Sequence, residues 1–408
     1  MLNINNKYVD LCNECEIELK DRFKEIDDLC FLNSKKVLMA FHEHNVSSSD
    51  FNVSSGYGFG DYGRDKIEKI FAYIFDSEDA LVRSQIISGT HAISTGLFGI
   101  LRPFDVMLSI SGKPYDTLHE VIGIKDNNSS LKSFNIEYKE IDLINNDFDY
   151  DKISKSLDNI RMVYIQRSRG YSLRESIDIE KIEKVISLVK SINKDIIVFV
   201  DNCYCEFTES KFPTSIGADI MAGSLIKNLG GGIASNGGYL AGRSDLINLC
   251  AERLNVAGEG REIGPTSSNK MFLMGLYHAP YAVASSLKSA YLSSLMFEKL
   301  GYKVSPKSNE NRCDIVNSIY FNNEDEMISF VKGIQAGGAI NAHVTPTPSD
   351  MPGYSNQIIM ASPSFTDGSS IEISCDAPLR EPYVLFLQGG LTYDYAKIAV
   401  LNGISNLK

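Results

Sequence analysis

The clearest periodicity in the chain lies just past residue 65. Ile67, Ile70, Phe71, Ile74 and Phe75 fall at i, i+3, i+4, i+7 and i+8, the one-sided stripe of an amphipathic helix. From about residue 80 to 245 short apolar runs alternate with helical segments. Met162 to Gln166 (MVYIQ), Ile196 to Asp201 (IIVFVD), Asp219 to Ser224 (DIMAGS) and Gly237 to Gly242 (GGYLAG) read as buried strands. Between the first two, Ile179, Ile182, Val185, Ile186, Val189 and Ile192 make a second helical stripe. Strand, helix and strand at this spacing predict crossover units and a mainly parallel sheet. Such sheets gather ligand chemistry at the carboxyl ends of their strands.

Both ends differ in texture. The amino-terminal stretch is only loosely periodic and reads as helix. Beyond residue 300, IVNSIYF, DEMISFVKGIQAGGAI and SSIEISC read as strand, helix and strand of a smaller α+β domain. A long helix over about residues 267–300 joins the two parts. The expected division is residues 1–55 as a helical segment packed on the core or a partner subunit, 56–290 as the large α/β domain, and 291–408 as the small one.

Composition narrows the function. With 52 acidic against 40 basic residues and a formal net charge of -12, the chain lacks the basic surface that a nucleic-acid backbone selects. No apolar run approaches the roughly 20 residues of a membrane-spanning helix, and the first residues lack a signal-peptide pattern. Eight cysteines in 408 residues show no disulfide framework, so reduced thiols and a cytoplasmic location are expected. An enzyme of small molecules fits these features.

Three segments carry candidate chemistry. Lys227 in GSLIKNLGGG follows a buried strand, with Ser224 three positions before it and glycines after it; a glycine run lets the backbone approach something bulky and planar. The P-loop pattern is absent. Asp201 ends the most apolar strand, one crossover unit upstream, and a buried carboxylate needs a partner or a shifted pKa; a protonated pyridine nitrogen is such a partner. Ser88, Gly89 and Thr90 open a helix whose free N–H groups favour a phosphate, though they also make an ordinary cap. Tyr115, in the loop after VMLSI, offers a ring to stack on a planar cofactor.

SGTHA, Tyr115, VDNCY and SLIKN with its glycines, together with GYGFGDYGRD, GKPYDTLHEVIG and LREPYVLFLQGGLTY, resemble the fold type I pyridoxal-phosphate enzymes. Within them the chain is most similar to the cystathionine- and methionine-lyase relatives labelled aluminium-resistance or methionine gamma-lyase family proteins. The resemblance covers about residues 55 to 395. It implies a large domain with a mostly parallel seven-stranded sheet, a smaller carboxyl-terminal domain, and pyridoxal 5'-phosphate as cofactor. Lys227 would hold the cofactor as a Schiff base and later carry protons; Asp201 would pair with the pyridine nitrogen, keeping the ring an electron sink. Ser88, Gly89, Thr90 and Ser224 would hold the phosphate. Tyr115 would stack on the ring or act as an acid at the leaving sulfur. Tyr62 and Arg64 match a pair that related lyases extend to the neighbouring subunit's phosphate, which implies a homodimer or homotetramer with shared active sites. Arg380 would grip the substrate carboxylate. The activity implied is a carbon–sulfur lyase releasing a thiol, a 2-oxo acid and ammonia from a sulfur-containing amino acid. The alternatives are another pyridoxal-phosphate reaction, such as an aminotransferase, or a cofactor-binding protein without turnover that serves regulation or metal tolerance.

The sequence also departs from the better-known lyases. Ile226 stands where they have a hydroxyl before the lysine, and QRSRGYS (Gln166 to Ser172) replaces an Asn-Pro pair. Arg169 or Tyr171 is then a candidate for the ring hydroxyl, or Arg169 for the substrate. His91 is a candidate to lie over the ring. His42 and His44, Cys12 and Cys15, and Cys203 and Cys205 lack the spacing of a metal site, so no metal is expected.

Overall fold

The computed structural model describes residues 2–57, 60–265, 268–351 and 356–407. Gly58 and Phe59 of the aromatic loop, and position 267 at the expected start of the long helix, fall outside the described residues. The loosely periodic amino-terminal segment forms α1 (Asn6–Glu18) and α2 (Lys20–Glu43). The first stripe becomes α3 (Tyr62–Ile74), capped by the Asp61 side chain and buried at Ile67, Ile70, Phe71 and Ile74.

The chain then alternates strands and helices: β1 (Asp79–Arg83), α4 (Gly89–Ile100), β2 (Val106–Ser109), α5 (Leu118–Ile122), β3 (Glu137–Glu140), α6 (Tyr150–Lys155), β4 (Met162–Gln166), α7 (Ile179–Ile192), β5 (Ile197–Asp201), β6 (Ile220–Ser224), β7 (Gly238–Gly242) and α8 (Ser244–Leu254). These strands form one seven-stranded sheet in the order β1-β7-β6-β5-β4-β2-β3. β7 alone runs against its neighbours, while β6, β5, β4, β2 and β3 are mutually parallel. Residues of the central strands are buried on both faces, which is why they read as continuous apolar runs. Leu81, Met107, Phe199 and Ala222 pack with Ile93 and Leu97 of α4 on one face. Val82, Val163, Val198 and Met221 join α3 and α7 on the other.

Helix α9 (Asn269–Lys299) leads into a second sheet. Its strands are β8 (Lys303–Ser305), β9 (Val316–Tyr320), β10 (Ile358–Ala361), β11 (Ser374–Pro378) and β12 (Val384–Gln388), with α10 (Glu324–Gly337) after β9 and α11 (Tyr393–Ser405) at the end. The order is β10-β11-β12-β9-β8, all antiparallel. The expected strand SSIEISC begins only at Ser374. Its earlier half is turned aside to let Glu372 accept hydrogen bonds from Phe365 N (2.8 Å) and Thr366 N (3.0 Å). The two sheets share one hydrophobic core through α9, whose Leu276, Val283 and Met296 are buried.

Candidate active site

The carboxyl ends of β2, β4, β5 and β6 open into a cavity of about 760 Å³. Lys227, Asp201, Tyr115 and Thr90 line it, with Cys203, Tyr204 and Gln166, and Arg380 at its edge. The sheet order explains the convergence. β5 and β6 are parallel neighbours, so Asp201 at the end of one and Lys227 just past the other must emerge on the same side.

Asp201 is buried, and its Oδ1 accepts a hydrogen bond from Cys203 N at 3.1 Å. Burial pushes its carboxyl above the ordinary carboxylate range, against the pull of Lys227 and the Cys203 N–H. A cationic partner at this carboxylate would bring it back down. Burial works against the charge on Lys227, yet the surrounding acidic groups hold it well above the ordinary lysine range. Cys203 and Tyr204 stand beside Asp201 in that set, but burial raises both of their own groups. The carboxylate of Asp201 is therefore the negative charge that favours the Lys227 ammonium. Tyr115 is likewise pushed up by burial and by Asp201, so its phenol is a proton donor rather than a phenolate.

Ser88 caps α4, its Oγ accepting from His91 N at 3.1 Å. The Thr90 hydroxyl lies 3.0 Å from the Tyr115 hydroxyl and 3.1 Å from that of Thr117. Gln166 holds the Tyr115 loop, accepting from Tyr115 N at 2.8 Å. Gly89 faces the lysine: a Cβ there would lie 3.0 Å from Cys203 Sγ and 3.9 Å from Lys227 Nζ. Ser224 Oγ accepts from Ile226 N at 3.3 Å, so a hydroxyl two positions further back serves the segment that begins with Ile226.

The glycines after Lys227 serve a different purpose from the one their sequence suggests. A Cβ at Gly230 would lie 1.6 Å from Leu225 O, and one at Gly231 would lie 2.5 Å from Gly275 O of α9. The run lets the lysine segment lie against that helix, and Gly89 is the glycine that keeps space between α4, the Cys203 thiol and the lysine. His91 does not line the cavity; its Nδ1 accepts from Ile87 N at 3.3 Å. Arg169 touches the cavity, but its guanidinium is spent on Ser305 O (3.0 Å) and Ser318 Oγ (2.9 Å) in the second sheet. Tyr171 packs against Phe386 with ring centroids 5.5 Å apart. Arg380 is exposed at the rim and makes no ion pair among the described residues. Tyr62 and Arg64 do not line the cavity of their own chain: Tyr62 is 85% exposed, while Arg64 is 2% exposed, with neither Nη atom hydrogen-bonded among the described residues.

Four participants had no signal in the sequence as a set: Gln166, Cys203, Tyr204 and Arg174. The Arg174 guanidinium donates to Gln166 O and Ser168 O, both at 2.7 Å, and so shapes the turn after β4. Tyr204 has φ +71° and Phe207 φ +62°, left-handed conformations that cost a bulky residue on the order of 1–3 kcal/mol. Such strain persists only where the surroundings over-determine the turn.

A methionine gamma-lyase family model matches residues 8–408. The chain is 46% identical over 400 residues to the uncharacterized protein YnbB of Bacillus subtilis, covering 97% of this chain and 95% of that one. A solved structure from Clostridium novyi, described as a carbon-sulfur lyase involved in aluminum resistance, superposes with a TM-score of 0.95 at 47% identity, covering 99% of this chain and 96% of that chain. The pyridoxal-5'-phosphate dependent protein YhfS of Escherichia coli has the same fold, with a TM-score of 0.63 at 15% identity over 94% of this chain and 97% of that one.

Proposed function

The chain belongs to the methionine gamma-lyase family, and from that premise we propose that it is a pyridoxal-phosphate-dependent carbon–sulfur lyase. Its substrate would be a sulfur-containing amino acid, and its products a thiol, a 2-oxo acid and ammonia. The observation that carries the reading is the convergence of Lys227, buried Asp201 and Tyr115 on one cavity.

The residues present fit the cofactor. Asp201 is a buried carboxylate with Lys227 as its neighbouring cation among the described residues, so a pyridinium would complete it. Ser88, Gly89 and Thr90 offer the first-turn N–H groups of a twelve-residue helix to a phosphate, with Ser224 beside them. When bound, the cofactor would supply an electron sink that acidifies the substrate Cα–H bond. Lys227 would anchor it covalently. With its amine free, Lys227 would take the substrate Cα proton. Tyr115, kept neutral by burial, would give its proton to the departing sulfur. Arg380 would hold the substrate carboxylate from the rim. The eight free cysteines support a reducing, cytoplasmic setting. The exposed Tyr62 ring supports an assembly of at least two chains in which Tyr62 and Arg64 complete a neighbour's site.

A visible spectrum before and after borohydride, with peptide mapping, tests the reading. A yellow protein that bleaches and carries the reduced label on Lys227 is expected, followed by thiol and ammonia release from a panel of sulfur amino acids. Ammonia release without an amino acceptor separates a lyase from an aminotransferase. A protein that stays colourless with added pyridoxal phosphate would sink the proposal.

A further inference from the structure

Tyr204 sits three residues past Asp201 and has the least expected backbone in the site, with φ +71°. Three contacts explain its placement. Asn228, next to Lys227, donates its side-chain N–H to Glu206 O at 2.9 Å and ties the turn to the lysine segment. On the other side Tyr204 packs on Val316, Val384 and Phe386 of the second sheet. Held between the two, its ring centroid stands 3.8 Å from Lys227 Nζ.

We propose that Tyr204 is a catalytic residue whose ring face receives the ammonium that Lys227 becomes on taking the substrate Cα proton. The inference rests on the lyase reading for that step. The Cα–H bond breaks and an N–H bond forms on Nζ; in a β-elimination the electron pair left on Cα makes the Cα–Cβ double bond and expels the thiolate. An aromatic face suits the task because it attracts a cation without accepting its proton in a strong hydrogen bond. All three ammonium protons then stay available for donation back to the substrate. A carboxylate in the same position would compete for them.

The other ionisable groups around Lys227 are Asp201, Cys203, Tyr115 and, behind the strand end, Glu206. Asp376 of β11 acts on Tyr204 from the second sheet. The Tyr204 hydroxyl also acts on Lys227, so the phenylalanine variant, which removes the hydroxyl and keeps the ring, separates the two.

The test is competitive acetylation of the cofactor-free, full-length chain across pH, with the Lys227 midpoint read by peptide mass spectrometry. Tyr204→Leu is expected to lower that midpoint by about one pH unit, and Tyr204→Phe by less than half as much. Should the leucine variant not fold, pentafluorophenylalanine at position 204 keeps the ring but reverses its face, and is expected to lower the midpoint as leucine would. In the loaded enzyme, exchange of the substrate Cα–H in D2O should slow about tenfold in Tyr204→Leu and be kept in Tyr204→Phe. An unmoved midpoint in a protein that bleaches with borohydride would overturn this inference alone. A phenylalanine variant as shifted as the leucine one would assign the effect to the hydroxyl and overturn the ring-face role. A protein that never bleaches would retire the lyase reading, and the catalytic role with it, even if the midpoint moves.

Discussion

Glu206 shows how far a single buried residue reaches. It lies behind the end of β6, where a Cβ on Gly223 would meet its Oε1 at 2.6 Å, and it accepts from the Tyr239 hydroxyl at 2.8 Å. Its other oxygen has no hydrogen-bond partner among the described residues. Burial pushes its carboxyl from 4.5 up to about 7. The folded state therefore keeps this proton where the unfolded chain has lost it. Stability from this group is fully present below about pH 4.5, declines as pH rises toward 7, and is gone above it. The size is at most about 3 kcal/mol. Glu206→Gln removes the titration, so its melting temperature relative to wild type should climb by several degrees between pH 5 and pH 8. A constant difference across that range would mean that Glu206 does not change protonation with folding.

At the scale of elements, the joint between the two sheets is built from arginine. Arg169, leaving β4, donates to Ser305 and Ser318, which are cross-strand partners in β8 and β9. Arg167 is buried beside it, donating to Asn202 Oδ1 at 2.9 Å and pairing with Glu209. Hydrogen bonds from a charged donor are worth about 1.5–3 kcal/mol each, and Arg169→Ala also strands the serine acceptors. A loss of roughly 2–4 kcal/mol is expected in urea unfolding. A variant as stable as wild type but with a raised KM would instead make Arg169 a reader of substrate, the role its motif first suggested.

For the whole molecule, the question is whether one chain makes a complete site. Tyr62 points to solvent at the start of α3, and exposed apolar side chains at Phe31, Leu32, Leu38 and Met39 form a second stripe on α2. If Tyr62 and Arg64 act across an interface, two inactive variants should complement each other. A mixture of Lys227→Ala and the double variant Tyr62→Ala, Arg64→Ala, refolded together, should recover roughly a quarter of wild-type activity, because a random dimer pairs the two defects in one site and leaves the other intact. No recovery, with dimers confirmed by light scattering, would confine the active site to a single chain.

The sequence by itself determined most of the elements and singled out Lys227 and Asp201. Buried parallel strands must be apolar throughout and amphipathic helices must repeat every 3.6 residues, so MVYIQ, IIVFVD and the stripe in α7 were legible from the order of apolar and polar residues alone. Lys227 and Asp201 stood out because a charged residue at the end of such a strand is conspicuous. What the glycines do, where Arg169 spends its guanidinium and which ring faces the lysine were decided by tertiary structure. Gly231 is small because α9, some 45 residues onward, lies against it, and Gly230 because the lysine segment folds back to bring Leu225 O onto it. Arg169 is committed by strands more than 130 residues away. The left-handed turn at Tyr204 exists because the second sheet and the lysine segment clamp it from opposite sides. Such contacts depend on distance through space, which a pattern of neighbours along the chain does not encode.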